Sequence, residues 1–204
     1  MRPDFDRAAR LAYKTLLALH IDSLPVDPLA ILMHCKTAAI HTYDDVLARY
    51  ESRDYHSFKY FFFDNLDAMT FRHEFGDKTV YEVFFDNRLH VRRRRFTLAH
   101  ELGHIILKHR MEERWEEQEA DYFAGQLLAP HPIVYTIQDI AGVCQISQPA
   151  ARIAAGPMRH REDPAIVDLL RNQFRCYTAN GGDKRVEAIP DGGIPSPVRY
   201  ACDC

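Results

Sequence analysis

The chain has 204 residues, of which 47% are hydrophobic and 27% are charged, as is typical of a globular protein with a buried core. Its net charge of −3 and pI near 6.4 do not favour a general attraction to nucleic acid. No apolar run approaches the roughly 20 residues of a membrane span, and the first residues show no signal peptide. Five scattered cysteines predict reduced thiols, and therefore a cytoplasmic protein without a membrane partner.

The predicted elements define an α+β fold. Helices are predicted over 3–19, over 28–35 after the N-cap Asp27, and over 44–50. Strands are predicted over 38–43, 58–63, 68–75 and 79–86, with a hairpin at Gly76-Asp77-Lys78 between the last two. One further helix is predicted to begin near Phe96, and a separate one to end before Pro130. Three more are predicted over 132–143, 148–156 and 163–175. These elements predict one domain over 1–175, with C-terminal helices over about 132–175, and a loop-rich extension over 176–204.

The segment His100-Glu101-Leu102-Gly103-His104 places two histidines four residues apart, with a glutamate directly after the first. Because an α-helix turns once in about 3.6 residues, positions i and i+4 share a face, so both imidazoles reach one metal ion. This HExxH pattern predicts a zinc hydrolase in which Glu101 acts as general base on a water molecule. The alternative is a structural histidine pair that is hydrogen-bonded to the backbone of an amphipathic helix.

A catalytic zinc site usually has three protein ligands, so one more ligand is expected downstream. Apolar residues recur at helical spacing before Pro130, and Glu119 falls on this inward stripe. Glu119 is therefore the predicted third ligand. Glu116 and Asp121 are the alternative ligands. Glu112, Glu113 and Glu117 are predicted to lie on a solvated face of the helix.

Residues 95–104, RFTLAHELGH, and residues 119–130, EADYFAGQLLAP, resemble two blocks of the ImmA/IrrE family of zinc metallopeptidases. Members of that family typically read RFTLAHELGH and then EA(D/N)xFAxxLLxP, and the resemblance covers about residues 80–155. It implies a small zincin-like domain with one zinc ion on His100, His104 and Glu119, and with Glu101 as the catalytic glutamate.

The resemblance also implies a function, because known members cleave DNA-binding repressors in mobile elements and stress responses. The expected activity is therefore a zinc-dependent endopeptidase whose protein substrate is a helix-turn-helix repressor. Candidate donors to the oxyanion of the reaction are Tyr122, His131 and Tyr135. Related zincins with a glutamate ligand often carry an aspartate four residues later that orients a metal-bound histidine. Four residues after Glu119 stands Phe123, so this device is expected to be absent.

Two other segments suggest a different class of protein. Arg92-Arg93-Arg94-Arg95 and the helix-turn-helix-like stretch 136–151 invite a DNA-binding interpretation. The second helix of that stretch offers only Gln148 and Arg152 to a DNA groove, so direct nucleic-acid binding is not favoured. Some of the four arginines are instead expected to pair with carboxylates of the acidic helix at 112–121. The alternative function is a catalytically silent zincin-fold regulator that binds a partner protein or DNA.

The last residues, from Thr178, are rich in glycine and proline. Cys176, Cys202 and Cys204 suggest a second metal site, but their spacing is not that of a zinc ribbon and no fourth ligand is evident. A loosely packed extension is the favoured interpretation of this tail.

Overall fold

The computed structural model describes residues 2–49, 66–110, 113–135 and 137–178. The predicted strand 58–63 lies outside these residues, as do Cys202 and Cys204, so the cysteine hypothesis stays a prediction. Among the described residues, no helix has both the length and the apolar character needed to cross a bilayer.

Two helices open the described chain, as predicted. Helix α1 spans Phe5–Ala18 and begins at Asp4, whose side chain accepts a hydrogen bond from the backbone N–H of Arg7. Helix α2 spans Pro28–His34, and Asp27 caps it in the same way. Aspartate suits these positions because its carboxylate satisfies N–H groups that have no partner inside the helix.

A small mixed sheet follows. Strand β1 spans Ala38–Thr42, helix α3 spans Tyr43–Arg49, and strands β2 and β3 span Ala68–Phe75 and Lys78–Phe85. The strand order is β1-β3-β2, with β1 parallel and β2 antiparallel to β3. Gly76 adopts φ 59° in the turn between β2 and β3, a backbone conformation that favours glycine. The predicted hairpin is thereby confirmed.

Helix α4 spans Val91–Leu107 and carries the HExxH segment. It begins five residues before the predicted start near Phe96, because His90 caps it by accepting a hydrogen bond from the N–H of Arg92. The arginine run therefore forms the first turn of the helix and does not precede it.

The four arginines mostly bind backbone carbonyls. Arg92, Arg94 and Arg95 donate to the carbonyl oxygens of Ile146, Asn87 and Val26, respectively. Arg93 pairs with Asp67 at the start of the sheet. Among the described residues, Arg93 alone meets the expectation of pairing with a carboxylate, and its partner lies at the sheet and not on the acidic helix. An arginine fork reaches carbonyls of the packed loops around the helix start as readily as a distant carboxylate.

Helix α5 spans Arg114–Leu128 and packs against both α4 and α1. Its approach to α4 is close at Gly103, where an added Cβ would stand 3.2 Å from the Cα of Ala120 and 3.2 Å from the ring of Phe123. Glycine at this position lets the two helix backbones approach each other. The hydrophobic core lies between α1, α4, α5 and the sheet.

Short helices complete the described chain: α6 His131–Val134, α7 Ile140–Val143, α8 Gln148–Ala154, α9 Pro164–Gln173 and α10 Arg175–Thr178. The single helix predicted over 132–143 was wrong. Asp139 accepts a hydrogen bond from the N–H of Gly142 and starts a new helix there, so its side chain competes with a continuous helix. The predicted α8 begins as expected after Ser147.

Candidate metal centre

The two histidines of α4 lie side by side on one helix face. The Nε2 atoms of His100 and His104 are 2.9 Å apart. Both side chains are largely buried, at 17% exposure each. The four-residue spacing thus brings the imidazoles together as the sequence predicted.

Glu117 of α5 supplies the carboxylate beside this pair. Its Oε2 is 3.3 Å from Nε2 of His100, and its Oε1 is 3.4 Å from Nε2 of His104. Ligands about 2.0–2.1 Å from a tetrahedral zinc are about 3.3 Å apart, so these separations fit the donor set. Among the described residues, His100, His104 and Glu117 are the cluster whose ligand atoms all lie within 4.8 Å of one another.

The structure does not bring the predicted ligand Glu119 to the histidine pair. Glu119 is buried, with 1% of its surface exposed, as its place on the apolar stripe predicted. It lies, however, on a different face of α5 from the one that meets the histidines. Its carboxylate accepts hydrogen bonds from the N–H of Asp4 and from the Arg7 guanidinium, and contacts His109. Glu117, which the sequence interpretation assigned to a solvated face, is 44% exposed and also stands at the histidines.

Glu117 and Glu119 have different surroundings because α5 packs against two neighbouring helices. Glu117 faces α4, whereas Glu119, two residues later and therefore about 200° around the helix, faces α1. A pattern that could have found the ligand was present: Glu117 and Asp121 form an acidic pair at i and i+4 on one helix face.

Asp121 orients the first histidine, so the aspartate device expected to be absent is present when counted from Glu117. Its Oδ1 is 2.9 Å from Nδ1 of His100. Burial disfavours the His100 cation, but the hydrogen bond to Asp121 and the charges of Glu101 and Glu117 outweigh burial and raise the pKa of His100. This contact leaves Nε2 of His100 directed at the cluster, as metal-binding histidines require.

His104 has a different environment. Burial and the neighbouring imidazoles of His100 and His109 lower the pKa of His104 to about 3. Its ring is therefore neutral at physiological pH, the form in which imidazole binds a metal.

Glu101 lies on α4 next to the pair and is 8% exposed. Its Oε2 accepts a hydrogen bond of 2.6 Å from the hydroxyl of Thr70 on β2. This contact fixes the carboxylate at the edge of the cluster. Thr70 and His109 are site residues that the sequence interpretation did not identify, because each reaches the centre through tertiary packing. Asp121, an alternative ligand in that interpretation, contacts Nδ1 of His100 instead.

Residues 54–138 match a peptidase family described as the IrrE N-terminal-like domain. This segment, 85 of the 204 residues, is similar to that domain and is named the IrrE-like domain. The matched segment includes His100, Glu101, His104 and Glu117, and it confirms the resemblance to the ImmA/IrrE family. No curated protein and no solved structure was found to match the chain.

The IrrE-like domain has an open cleft of about 360 Å³ beside Glu101. The beginning of β2 and one face of α4 form its walls, and the ion pair between Asp67 and Arg93 lies among them. The lining residues are Leu66, Asp67, Ala68, Arg93, Phe96, Thr97, His100 and Glu101. A polypeptide entering this cleft would reach the general-base candidate and the first histidine together.

The three candidate oxyanion donors make their described contacts elsewhere in the IrrE-like domain and the helices that follow it. The Tyr122 hydroxyl contacts Nδ1 of His160 and accepts from the N–H of Arg159. His131 pairs with Glu162, and the Tyr135 ring stacks on His131. Their role as oxyanion donors stays a prediction.

Proposed function

We propose that the protein is a zinc-dependent endopeptidase with a zincin-like fold. The observation that carries the proposal is the convergence of two Nε2 atoms and one carboxylate from α4 and α5 beside a buried glutamate. Two imidazoles and one carboxylate are the ligand set of many catalytic zinc sites, which leave a fourth position open. The peptidase family of the IrrE-like domain agrees with this chemistry.

His100, His104 and Glu117 would hold the ion, and the ion would supply Lewis acidity to the scissile carbonyl and to the attacking water. Glu101 accepts the proton of that water and passes it to the leaving amine. The Thr70 hydroxyl keeps the Glu101 carboxylate in place, and Asp121 keeps Nε2 of His100 directed at the cluster. Glu119 is not part of this ligand set, because its oxygens bind α1 and His109.

The proposed substrate is a helix-turn-helix repressor in the cytoplasm. This part rests on the ImmA/IrrE resemblance, whose known members cleave such repressors. The cleft beside Glu101 supports a polypeptide substrate, since it is open to solvent and extends from the start of β2 to His100.

The first test is metal stoichiometry in the full chain and two variants. Wild type is expected to bind about one zinc ion, as is usual for a site of three protein ligands. Glu117→Ala should lose zinc, and the loss should exceed the about 10- to 100-fold typical of residues that only orient a ligand. Glu113→Gln at the start of α5 serves as a control, because its side chain contacts Trp115 and not the cluster.

The second test is cleavage of purified helix-turn-helix repressors, followed by mass spectrometry. Wild type should yield discrete fragments, whereas Glu101→Gln should bind zinc normally and yield none. Equal turnover by Glu101→Gln would contradict the assigned base. Zinc binding without cleavage, combined with a stable complex or a salt-dependent DNA shift, would support the silent regulator instead.

A further inference from the structure

We propose that His109 is a positioning residue for His104, and that the buried carboxylate of Glu119 holds His109 in place. This inference rests on the proposed metal site. It gives Glu119, which does not reach the metal cluster, a role in building that cluster. The residues involved come from α1, α5 and the turn after α4.

A continuous series of contacts leads from α1 to the metal cluster. The N–H of Asp4 donates to Oε1 of Glu119 at 2.7 Å, and Oε2 of Glu119 is 3.2 Å from Nε2 of His109. Nδ1 of His109 is 3.1 Å from Nδ1 of His104. Nε2 of His104 then faces His100 and Glu117. Every ring nitrogen in the series thus has a partner.

A metal ion held by His104 would fix where the protons lie. Nε2 of His104 would present a lone pair to the ion, so the ring proton of His104 would be on Nδ1 and be donated to Nδ1 of His109. The His109 proton is then on Nε2 and is donated to the Glu119 carboxylate. A single arrangement of protons satisfies both imidazoles and the carboxylate at once.

Burial makes this series more than a set of incidental contacts. The side chains of His109 and Glu119 are 3% and 2% exposed, so water does not readily replace their partners. Arg7 and the N–H of Asp4 supply donors to the carboxylate, and the Trp115 ring packs edge-on against the His109 ring. A buried carboxylate without donors would be costly, so these contacts fix its orientation.

The two metal-binding histidines are therefore supported differently. His100 is hydrogen-bonded to Asp121, whose side chain is 59% exposed. His104 contacts the imidazole of His109, which is itself held by the buried carboxylate of Glu119. Outer partners of metal-bound histidines are most often carboxylates, carbonyls or water, so an imidazole in this place is distinctive.

The test measures zinc affinity directly, by competition with a chromogenic chelator, in the full chain. His109→Ala removes the acceptor for His104 and should weaken zinc binding about 10- to 100-fold. His109→Asn places a carbonyl oxygen near the former Nδ1 and should recover most of that loss. Glu119→Gln should give an intermediate loss, since it keeps an acceptor but removes the charge.

Glu116→Gln is the matched control, because Glu116 is a buried glutamate on the same helix that accepts from the N–H of Arg110. This variant should keep wild-type zinc affinity. Thermal unfolding without metal shows whether each variant is folded, and the Co²⁺ absorption spectrum reports distortion of the ligand set. If His109→Ala does not fold, His109→Asn and Glu119→Gln decide the question.

Zinc affinity of folded His109→Ala within about threefold of wild type would overturn the inference while leaving the metal site standing. Equal losses in folded His109→Ala and His109→Asn would also overturn it, since the acceptor would then not matter. If His109→Ala is unfolded, folded His109→Asn and Glu119→Gln that both match wild type would overturn it as well. Absence of zinc binding by the wild-type chain would instead refute the proposed function.

Discussion

At the proposed metal site, the protonation of His100, and not of the adjacent His104, would control access of a metal ion. The pKa of His104 lies at about 3, so its ring stays neutral over the physiological range. The pKa of His100 is raised above its ordinary value, despite burial, by Asp121 and two nearby glutamates. A proton and a metal ion therefore compete for Nε2 of His100 and not for His104.

This competition predicts a pH dependence of zinc affinity. The ordinary histidine pKa is about 6.5, and that of His100 lies higher, so affinity should begin to fall before pH 6.5 is reached from above. Below the pKa of His100, the apparent dissociation constant should rise about tenfold per pH unit, as one proton is displaced. Zinc titrations between pH 5.5 and 8 measure this slope.

Asp121→Asn is the control for the origin of the slope. Without the carboxylate the pKa of His100 should fall, so the decline in affinity should move to lower pH. The variant should also bind zinc more weakly at pH 8, since the orienting acceptor is altered. An unchanged pH profile in Asp121→Asn would contradict the assignment of the proton to His100.

At the scale of elements, the close approach of α4 and α5 determines whether Glu117 reaches the histidines. The approach occurs at Gly103, whose missing Cβ leaves room for Ala120 and Phe123. The HExxH segment thus carries a packing residue between its two histidines. The position of the proposed third ligand, Glu117, depends on this contact.

Gly103→Ala is predicted to loosen the metal centre. Overpacking between two helices costs about 1–3 kcal/mol, which exceeds the helix-propensity gain of about 1 kcal/mol from glycine to alanine. Separation of the helices should also move Glu117 away from His100 and weaken zinc binding. Chemical denaturation and zinc titration of the variant measure both effects.

Gly125→Ala is the matched control within α5. No atom lies within 4 Å of the Cβ that it would add, so the helix-propensity gain should appear alone as about 1 kcal/mol of added stability. Zinc affinity should stay that of wild type. Equal effects of the two substitutions would contradict a special role for the contact at Gly103.

Local patterns were sufficient to predict several elements from sequence. The caps of α1 and α2, the β2–β3 hairpin and the histidine pair all depend on residues within a few positions of one another. The proposed third ligand was different, because α5 packs against both α4 and α1, and periodicity does not say which face meets α4. The break after α6 was missed because a single side chain, Asp139, starts a new helix.

At the scale of the whole molecule, His160 joins α1 and α5 to the C-terminal part of the chain. The buried His160 ring contacts the hydroxyl of Tyr13 on α1 through Nε2 and the hydroxyl of Tyr122 on α5 through Nδ1. Gln126 accepts from the Tyr13 hydroxyl at 2.6 Å. Three parts of the chain therefore share one polar cluster on the far side of α5 from Glu117.

Acidification should weaken this polar cluster around His160. Burial is the main cause that lowers the pKa of His160, so the unfolded chain takes up a proton near pH 6.5 while the folded chain does not. The contribution of His160 to the free energy of unfolding is therefore fully present above about pH 6.5. It is lost as pH falls toward the folded pKa, at up to about 1.4 kcal/mol per pH unit. Denaturant unfolding at several pH values gives the slope.

His160→Gln should show a shallower loss of stability on acidification, because the titrating ring is gone. At pH 8 the ring is neutral in both states of the wild type, so the difference measured there is the packing cost of the substitution alone. Parallel pH profiles for the wild type and His160→Gln would refute the contribution of His160.

The position of α1 has a consequence for the order of folding. Its backbone and side chains bond residues that follow it by 115, 155 and 157 positions: Glu119, Arg161 and Gln173. At translation rates of about 5–20 residues per second, the ribosome needs about 8–30 s to make the last of these partners. The apolar face of α1, with Ala8, Ala12 and Leu16, has no native cover until α4 and α5 have been made. Its packing is completed only when the segments around Arg161 and Gln173 fold back onto it.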